Sequence, residues 1–213
     1  MLNNKCKKEI EMTTIERYTK RYNDLGVGHK TLGWGSVDDQ IVRFERMTRF
    51  FKLDGMTVMD IGCGFADFYK YLLDNDVQCN YIGVDINEKF IESNRKMYPE
   101  AEFLVANIMT NDVELPNADI IVANGVLNFK LSNGDNLEYT QEFVEKLFNK
   151  CHKGVCVDFL STFLTESYPK ESFVYYHNPV TLLEFAFDLT PNACILHDYR
   201  PIPQKEFMLI LEK

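Results

Sequence analysis

The sequence predicts an α/β fold: an open, doubly wound, mostly parallel sheet of seven strands with a terminal antiparallel hairpin. Three observations predict it. From residue 57 onward, short apolar runs alternate with amphipathic helical stretches, which is the signature of β-α-β units. The first unit turns on Gly62 and Gly64, and its second strand ends on a carboxylate, Asp85. The last two apolar runs follow each other with no helix between them, so they pair as a hairpin.

The elements follow in order. Residues 1–12 are polar and lysine-rich with no apolar centre, so they are not read as a secretory signal. Ile10, Thr14 and Tyr18, with Arg17, Arg21 and Tyr22, give a helical stripe from about Ile10 to Tyr22. The glycine-rich stretch Gly26–Gly35 is not a phosphate loop, because His29 separates Gly28 from Lys30 and no strand precedes it. A flexible, aromatic-bearing segment there suits a lid, so residues 1–51 are expected to cap a core of residues 52–213. Ser36 caps the next helix, with Val37, Ile41, Phe44, Thr48 and Phe51 toward the sheet. Gln40 and Arg43 lie off that stripe and are expected to be solvated or to face the cleft.

Val58, Met59 and Ile61 form the first strand, a helix runs from Phe65 to Asp74, and Tyr81–Asp85 is the second strand. Asn87 caps the next helix and Pro99 lies just beyond its end. Further strands are expected at Glu102–Ala106, Ala118–Ala123, Gly154–Leu160, Ala193–Tyr199 and Glu206–Leu211. Helices at Glu138–Asn149 and Pro179–Asp188 complete the alternation, and Pro201 and Pro203 interrupt the closing hairpin.

The glycine turn and Asp85 point to a nucleoside ligand, since an acid at the end of the second strand grips ribose hydroxyls. A dinucleotide site wants a third glycine where Asp67 stands. Asp60 and Asp67 flank the turn; they repel a pyrophosphate and suit a cationic ligand with an ammonium group. S-adenosylmethionine is such a ligand. Asp60-x-Gly62-x-Gly64-x-Ala66 resembles the first motif of class I S-adenosylmethionine-dependent methyltransferases, with Ala66 in place of a frequent third glycine. The resemblance covers about residues 52–213. It implies that Asp60, Gly62, Cys63, Gly64, Asp85 and Ile86 hold the cofactor and that its product is S-adenosylhomocysteine. It also implies that Asn107 and Ile108 read the adenine, with Asn107 where the family commonly has Asp. The run Asn124-Gly125-Val126-Leu127-Asn128-Phe129 is similar to the segment that lies beside the methyl donor.

Composition narrows the acceptor. The net charge of −9 argues against a nucleic-acid substrate. No run is long enough to span a membrane, and the cysteines 6, 63, 79, 151, 156 and 194 show no Cys-x-x-Cys pair, as expected of a reduced cytoplasmic protein. The four histidines lack metal-ligand spacing, so no metal is expected. Methyl transfer needs an aligned acceptor and, for a hydroxyl, a proton acceptor. The expected catalytic residues are His177, just outside the last helix, and His29 from the opposite loop; Tyr18 and Trp34 are placed over the cofactor. Tyr22, Asn128, Lys130 and Tyr176 are expected to bind the acceptor, a small polar metabolite or glycan precursor methylated at oxygen. The protein is expected to act as a monomer or homodimer. The alternative reading is an inactive methyltransferase-like fold that binds the cofactor or a partner; a nicotinamide dehydrogenase is disfavoured by Asp60 and Asp67.

Overall fold

The computed structural model describes residues 2–110, 112–164, 170–199 and 205–213. Among these the chain runs α1 (Asn4–Leu25), α2 (His29–Leu32), α3 (Val37–Phe50), β1 (Thr57–Ile61), α4 (Asp67–Asp74), β2 (Asn80–Asp85), α5 (Glu88–Met97), β3 (Glu102–Val105), β4 (Ala118–Ala123), α6 (Asn136–Lys150), β5 (Cys151–Leu160), α7 (Pro179–Leu189), β6 (Ala193–Leu196) and β7 (Glu206–Glu212). The strands form one seven-stranded sheet in the order β3-β2-β1-β4-β5-β7-β6. All neighbours are parallel except β7, which runs antiparallel to both β5 and β6. The hairpin forms as expected, but β7 inserts beside β5 and leaves β6 at the edge. Its turn residues Pro201 and Pro203, like Arg200, lie outside the described residues.

Strand alternation splits the core into two layers. Met59, Ile121, Val155 and Val157 face α6 and α7, where Val144, Leu147, Leu182 and Ala186 are fully buried. Val58, Ile120, Val122 and Cys156 face α3, α4 and α5, meeting Met47, Phe68, Leu72 and Ile91. The order reverses at β1, whose neighbours are β2 and β4. A ligand crevice opens at such a switch point, beyond the carboxyl ends of the strands.

Three elements differ from the sequence expectation for identifiable reasons. Helix α4 starts at Asp67 rather than Phe65 because Ala66 adopts a left-handed conformation, φ 58°, that completes the glycine turn. Helix α1 begins well before Ile10: the Asn3 side chain caps it by accepting from the Cys6 amide. The lysine-rich start is then held down by Lys7, which is buried and donates to Glu142 of α6. Helix α3 buries Gln40, Arg43, Phe44 and Met47 and leaves Val37 exposed. Its two polar residues go inward because each finds a partner: Gln40 donates to Asp67 at 2.9 Å, and Arg43 pairs with Asp158 and Glu206. Neither is a solvated surface residue. Among the described residues no helix is long and apolar enough to cross a membrane.

Replacing Lys7 by Met should strand a buried Glu142, and breaking a buried ion pair by removing one partner costs about 3–5 kcal/mol. Hydrogen exchange should accelerate across α1 in Lys7→Met. Rates equal to those of the parent chain would show that this pair does not dock the helix.

Candidate active site

The site begins with the turn after β1. Gly62 and Gly64 have φ of 77° and 54°, a region that favours glycine. The amides of Gly62 and Cys63 both donate to the Val84 carbonyl, at 2.7 and 3.0 Å, which draws the turn onto the end of β2. There Asp85 accepts from the Gly64 amide at 3.0 Å with one oxygen and from the Asn87 amide at 2.8 Å with the other. Asn94 of α5 secures the turn from behind, donating to the Gly64 carbonyl at 2.8 Å. Burial pushes the Asp85 carboxyl up to about 6, while the amides of Asn87, Gly64 and Ile86 favour its charged form.

These loops floor a cleft of about 180 Å³. Gly62, Gly64, Asp85, Ile86, Asn107, Ile108, Asn124 and Gly125 line it from the sheet side. The roof is α1, through Ile10, Thr14 and Tyr18, together with Leu32 of α2 and Trp34. The roof rests directly on the glycines. A Cβ on Gly64 would stand 2.8 Å from Leu32 and one on Gly125 would stand 2.9 Å from Trp34. A Cβ on Gly62 would stand 2.1 Å from Val126. The helical stripe read from Ile10, Thr14 and Tyr18 therefore faces the cleft.

The charge of the cleft selects its ligand. Its lining includes Glu11 and Asp85 but, among the described residues, no Lys, Arg or His. The Asn124 Oδ1 is buried and, among the described residues, has no hydrogen-bond partner. A phosphate would meet no countercharge here. A ligand with a ribose, an ammonium and a sulfonium would meet an acid for its hydroxyls, an orphan acceptor for its N–H groups and aromatic faces for its cation. S-adenosylmethionine fits this donor set: Asp85 would hold the ribose and Asn124 the ammonium end. When bound, it supplies an electrophilic methyl group.

Ten of the residues expected to contact the cofactor line this cleft: Tyr18, Trp34, Gly62, Gly64, Asp85, Ile86, Asn107, Ile108, Asn124 and Gly125. Asp60 and Cys63 do not. Asp60 points into the sheet layer, where Tyr81 donates to it at 2.7 Å. Burial pushes its carboxyl up to about 7 against that hydrogen bond. The Cys63 thiol is also buried, which raises it well above the usual thiol range. Asp67 is engaged by Gln40. The acids that set the sign of the cleft are thus Asp85 and Glu11, not the pair flanking the turn.

The acceptor-side expectations fare differently. His177 is buried, with its ring 4.7 Å from both Phe159 and Tyr175, and does not line the cleft. Its Nε2 bonds the Leu127 carbonyl at 3.1 Å, and burial pushes the imidazole down to about 4. It is a buried, neutral prop under the loop after β4. His29 sits in α2 and does not line the cleft. Tyr22 packs on Phe65 and Phe90, Lys130 is exposed, and Tyr176 is buried with its hydroxyl accepting from Glu171. Only Asn128 of that group lines a cavity.

That cavity, about 480 Å³, lies beside the first and shares Tyr18, Leu32, Trp34, Gly125 and Phe129 with it. Its remaining wall holds Arg17, from the N-terminal stripe, and Arg43, for which the sequence offered a place facing the cleft. Arg17 lies 3.8 Å over the Phe129 ring. Arg43 sits 4.3 Å beneath Trp34 and pairs with both Asp158 and Glu206. A signal existed: Asp158 interrupts the otherwise apolar, buried run 154–160 of β5, and a buried acid needs a partner.

Comparison with known proteins decides the family. Residues 59–157 match the profile described as Methyltransferase domain. This chain carries a methyltransferase domain. An inferred methyltransferase of Mycobacterium tuberculosis is 23% identical over 156 residues, 68% of this chain and 88% of that one. The trans-aconitate 2-methyltransferase of an Azoarcus strain is 30% identical over 76 residues, 36% of this chain and 30% of that one. Among solved structures, the magnesium protoporphyrin IX methyltransferase of Synechocystis with bound S-adenosylhomocysteine superposes with a TM-score of 0.64. It is 15% identical, with 97% of this chain and 96% of that one covered. The same enzyme is also known with S-adenosylmethionine bound. The fold is class I, and the cofactor of the methyltransferase domain is S-adenosylmethionine.

Asp85→Ala should weaken S-adenosylhomocysteine binding by about 1.5–3 kcal/mol, the range for charge-assisted hydrogen bonds. Gly62→Val should do worse, since a side chain there is strained by φ and collides with Val126. Calorimetry that finds Asp85→Ala as tight as the parent would remove Asp85 from the ribose site.

Proposed function

We propose that the enzyme transfers the methyl group of S-adenosylmethionine to an oxygen of a small polar acceptor, a metabolite or glycan precursor, held in the second cavity. The shared wall between the two cavities carries this reading. An acceptor beside Asn128 and Phe129 would lie against the same Tyr18, Trp34 and Gly125 that border the cofactor cleft. Proximity of that kind is most of what the displacement requires. The cavity wall is polar and charged, with Arg17, Arg21, Asp39 and Glu171 among its residues. Among the described residues no carboxylate pairs with Arg17, so its guanidinium is available to an acidic group on the acceptor. The names of similar proteins give trans-aconitate in one case and magnesium protoporphyrin IX in another. The acceptor therefore has to be argued from this cavity and not from the fold.

The N-terminal segment acts in this reading as a lid. A cleft of about 180 Å³ is tighter than the roughly 300–1,000 Å³ of sites for ligands of this size. Leu32 and Trp34 must lift from Gly64 and Gly125 to admit the cofactor, and they exclude water once they return.

Incubation with S-adenosylmethionine and a panel of hydroxyl, carboxyl and amine acceptors tests the proposal. Formation of S-adenosylhomocysteine should depend on a hydroxylated or carboxylated member. Methylation confined to amines would contradict the oxygen assignment. Cofactor binding without turnover of any member would favour a binding module.

A further inference from the structure

The second cavity is built on a buried charge cluster that no expectation from sequence used. Three elements contribute. Asp158 lies near the end of β5 and Glu206 starts β7; Leu160 pairs with Glu206 and Asp158 with Met208, so strand alternation sets both carboxylates on one face. Arg43 of α3 reaches down to that face and donates to Asp158 Oδ2 at 3.1 Å and to Glu206 Oε1. The other Asp158 oxygen accepts from the Gly125 amide at 2.5 Å, in the loop that borders the cofactor cleft. The remaining Glu206 oxygen, Oε2, is buried with no hydrogen-bond partner among the described residues, and Glu206 lines the second cavity.

We propose that Glu206 is the group that takes the acceptor's proton. The proposal rests on the oxygen-transfer reading above. Arg43 holds Oε1 and orients the carboxylate, which leaves Oε2 free to bond an acceptor hydroxyl entering the cavity. As the hydroxyl oxygen forms its bond to the methyl carbon, its O–H pair stays on that oxygen and the proton passes to Oε2. The methyl–sulfur bond breaks with its electron pair going to sulfur, so a sulfonium becomes a neutral thioether and the carboxylate becomes a carboxylic acid. No further reactant is needed.

The charge balance of the cluster supports this role. Arg43 supplies one positive charge against two carboxylates in a buried place. Asp39 of α3 and the Tyr199 hydroxyl after β6 also act on Glu206 or on this cluster, and neither adds a cation. Burial, opposed by Arg43 and helped by Asp158, pushes Glu206 up to about 8. A base near the working pH is the useful kind, because it is partly free to accept a proton and holds it well. The sign follows: the carboxylate exists above that value, so transfer should rise with pH through about 8 and then level off.

The test uses the whole chain in two measurements. Trp34 is the only tryptophan, and its ring lies over Arg43, so its emission reports the cluster without any acceptor. The wild type should show a transition near pH 8 that is absent in Glu206→Gln and returns, shifted, in Glu206→Asp. A transition of the same midpoint and size in Glu206→Gln would overturn the proposal. With an acceptor that the wild type turns over, Glu206→Gln should lose about 10²–10⁴ in kcat and its rising pH limb, while S-adenosylhomocysteine binding stays within twofold. Glu206→Asp should recover part of both. Wild-type kcat in Glu206→Gln would overturn the base and leave oxygen transfer standing; absence of turnover in the wild type itself would count against the transfer reading instead.

Discussion

The cofactor cleft depends on one carboxylate bridging two amides. Asp85 accepts from Gly64 with one oxygen and from Asn87 with the other, so it ties the turn after β1 to the start of α5. That bond pair fixes where the glycine turn lies, and the turn fixes where backbone is bare enough for a ligand to approach. An apolar residue in place of Asp85 would leave two amides without their acceptor at the buried centre of the switch point. The same carboxylate still has lone pairs facing the cleft. On the proposed ribose contact, structure and ligand recognition meet on this one side chain, so its substitution should affect both.

Charge then separates the two cavities. The first is bordered by Glu11 and Asp85 and lacks cations, as a positively charged donor requires. The second brings Arg17, Arg21 and Arg43 together with acids. Trp34 stands on the boundary: it covers Gly125 on one side and stacks over Arg43 on the other. Trp34 therefore belongs both to the roof of the first cavity and to the wall of the second. The Gly125–Asp158–Arg43–Glu206 chain of hydrogen bonds links the loop that borders the first cavity to the wall of the second.

Much of this was legible in the residues. The turn at Gly62 and Gly64, the acid at Asp85 and the loop from Asn124 to Phe129 announce themselves because backbone conformation and strand ends demand particular residue types. The strand at Ala118–Ala123 and the cap at Ser36 were likewise readable, from apolar runs and from a hydroxyl before a helix. What stayed hidden was pairing at a distance. Arg43 meets Glu206 across 163 positions and Lys7 meets Glu142 across 135, so neither pairing can be read from sequence neighbours, although all four residues are buried. His177 misled for the opposite reason. Its place before a helix suggested a loop residue facing the cleft, yet its ring fills space between Phe159 and Tyr175 and its Nε2 serves a backbone carbonyl. A histidine's neighbours in sequence do not reveal whether its ring reaches solvent.

One cofactor should bind between the glycine floor and the N-terminal roof. Hydrogen exchange with and without saturating S-adenosylhomocysteine measures this most directly. Protection should appear together at 62–64, 85–87, 107–108 and 124–126 and across α1 and residues 29–34. Protection restricted to the floor would contradict the roof, and protection absent from 62–64 and 85–87 would contradict the site itself.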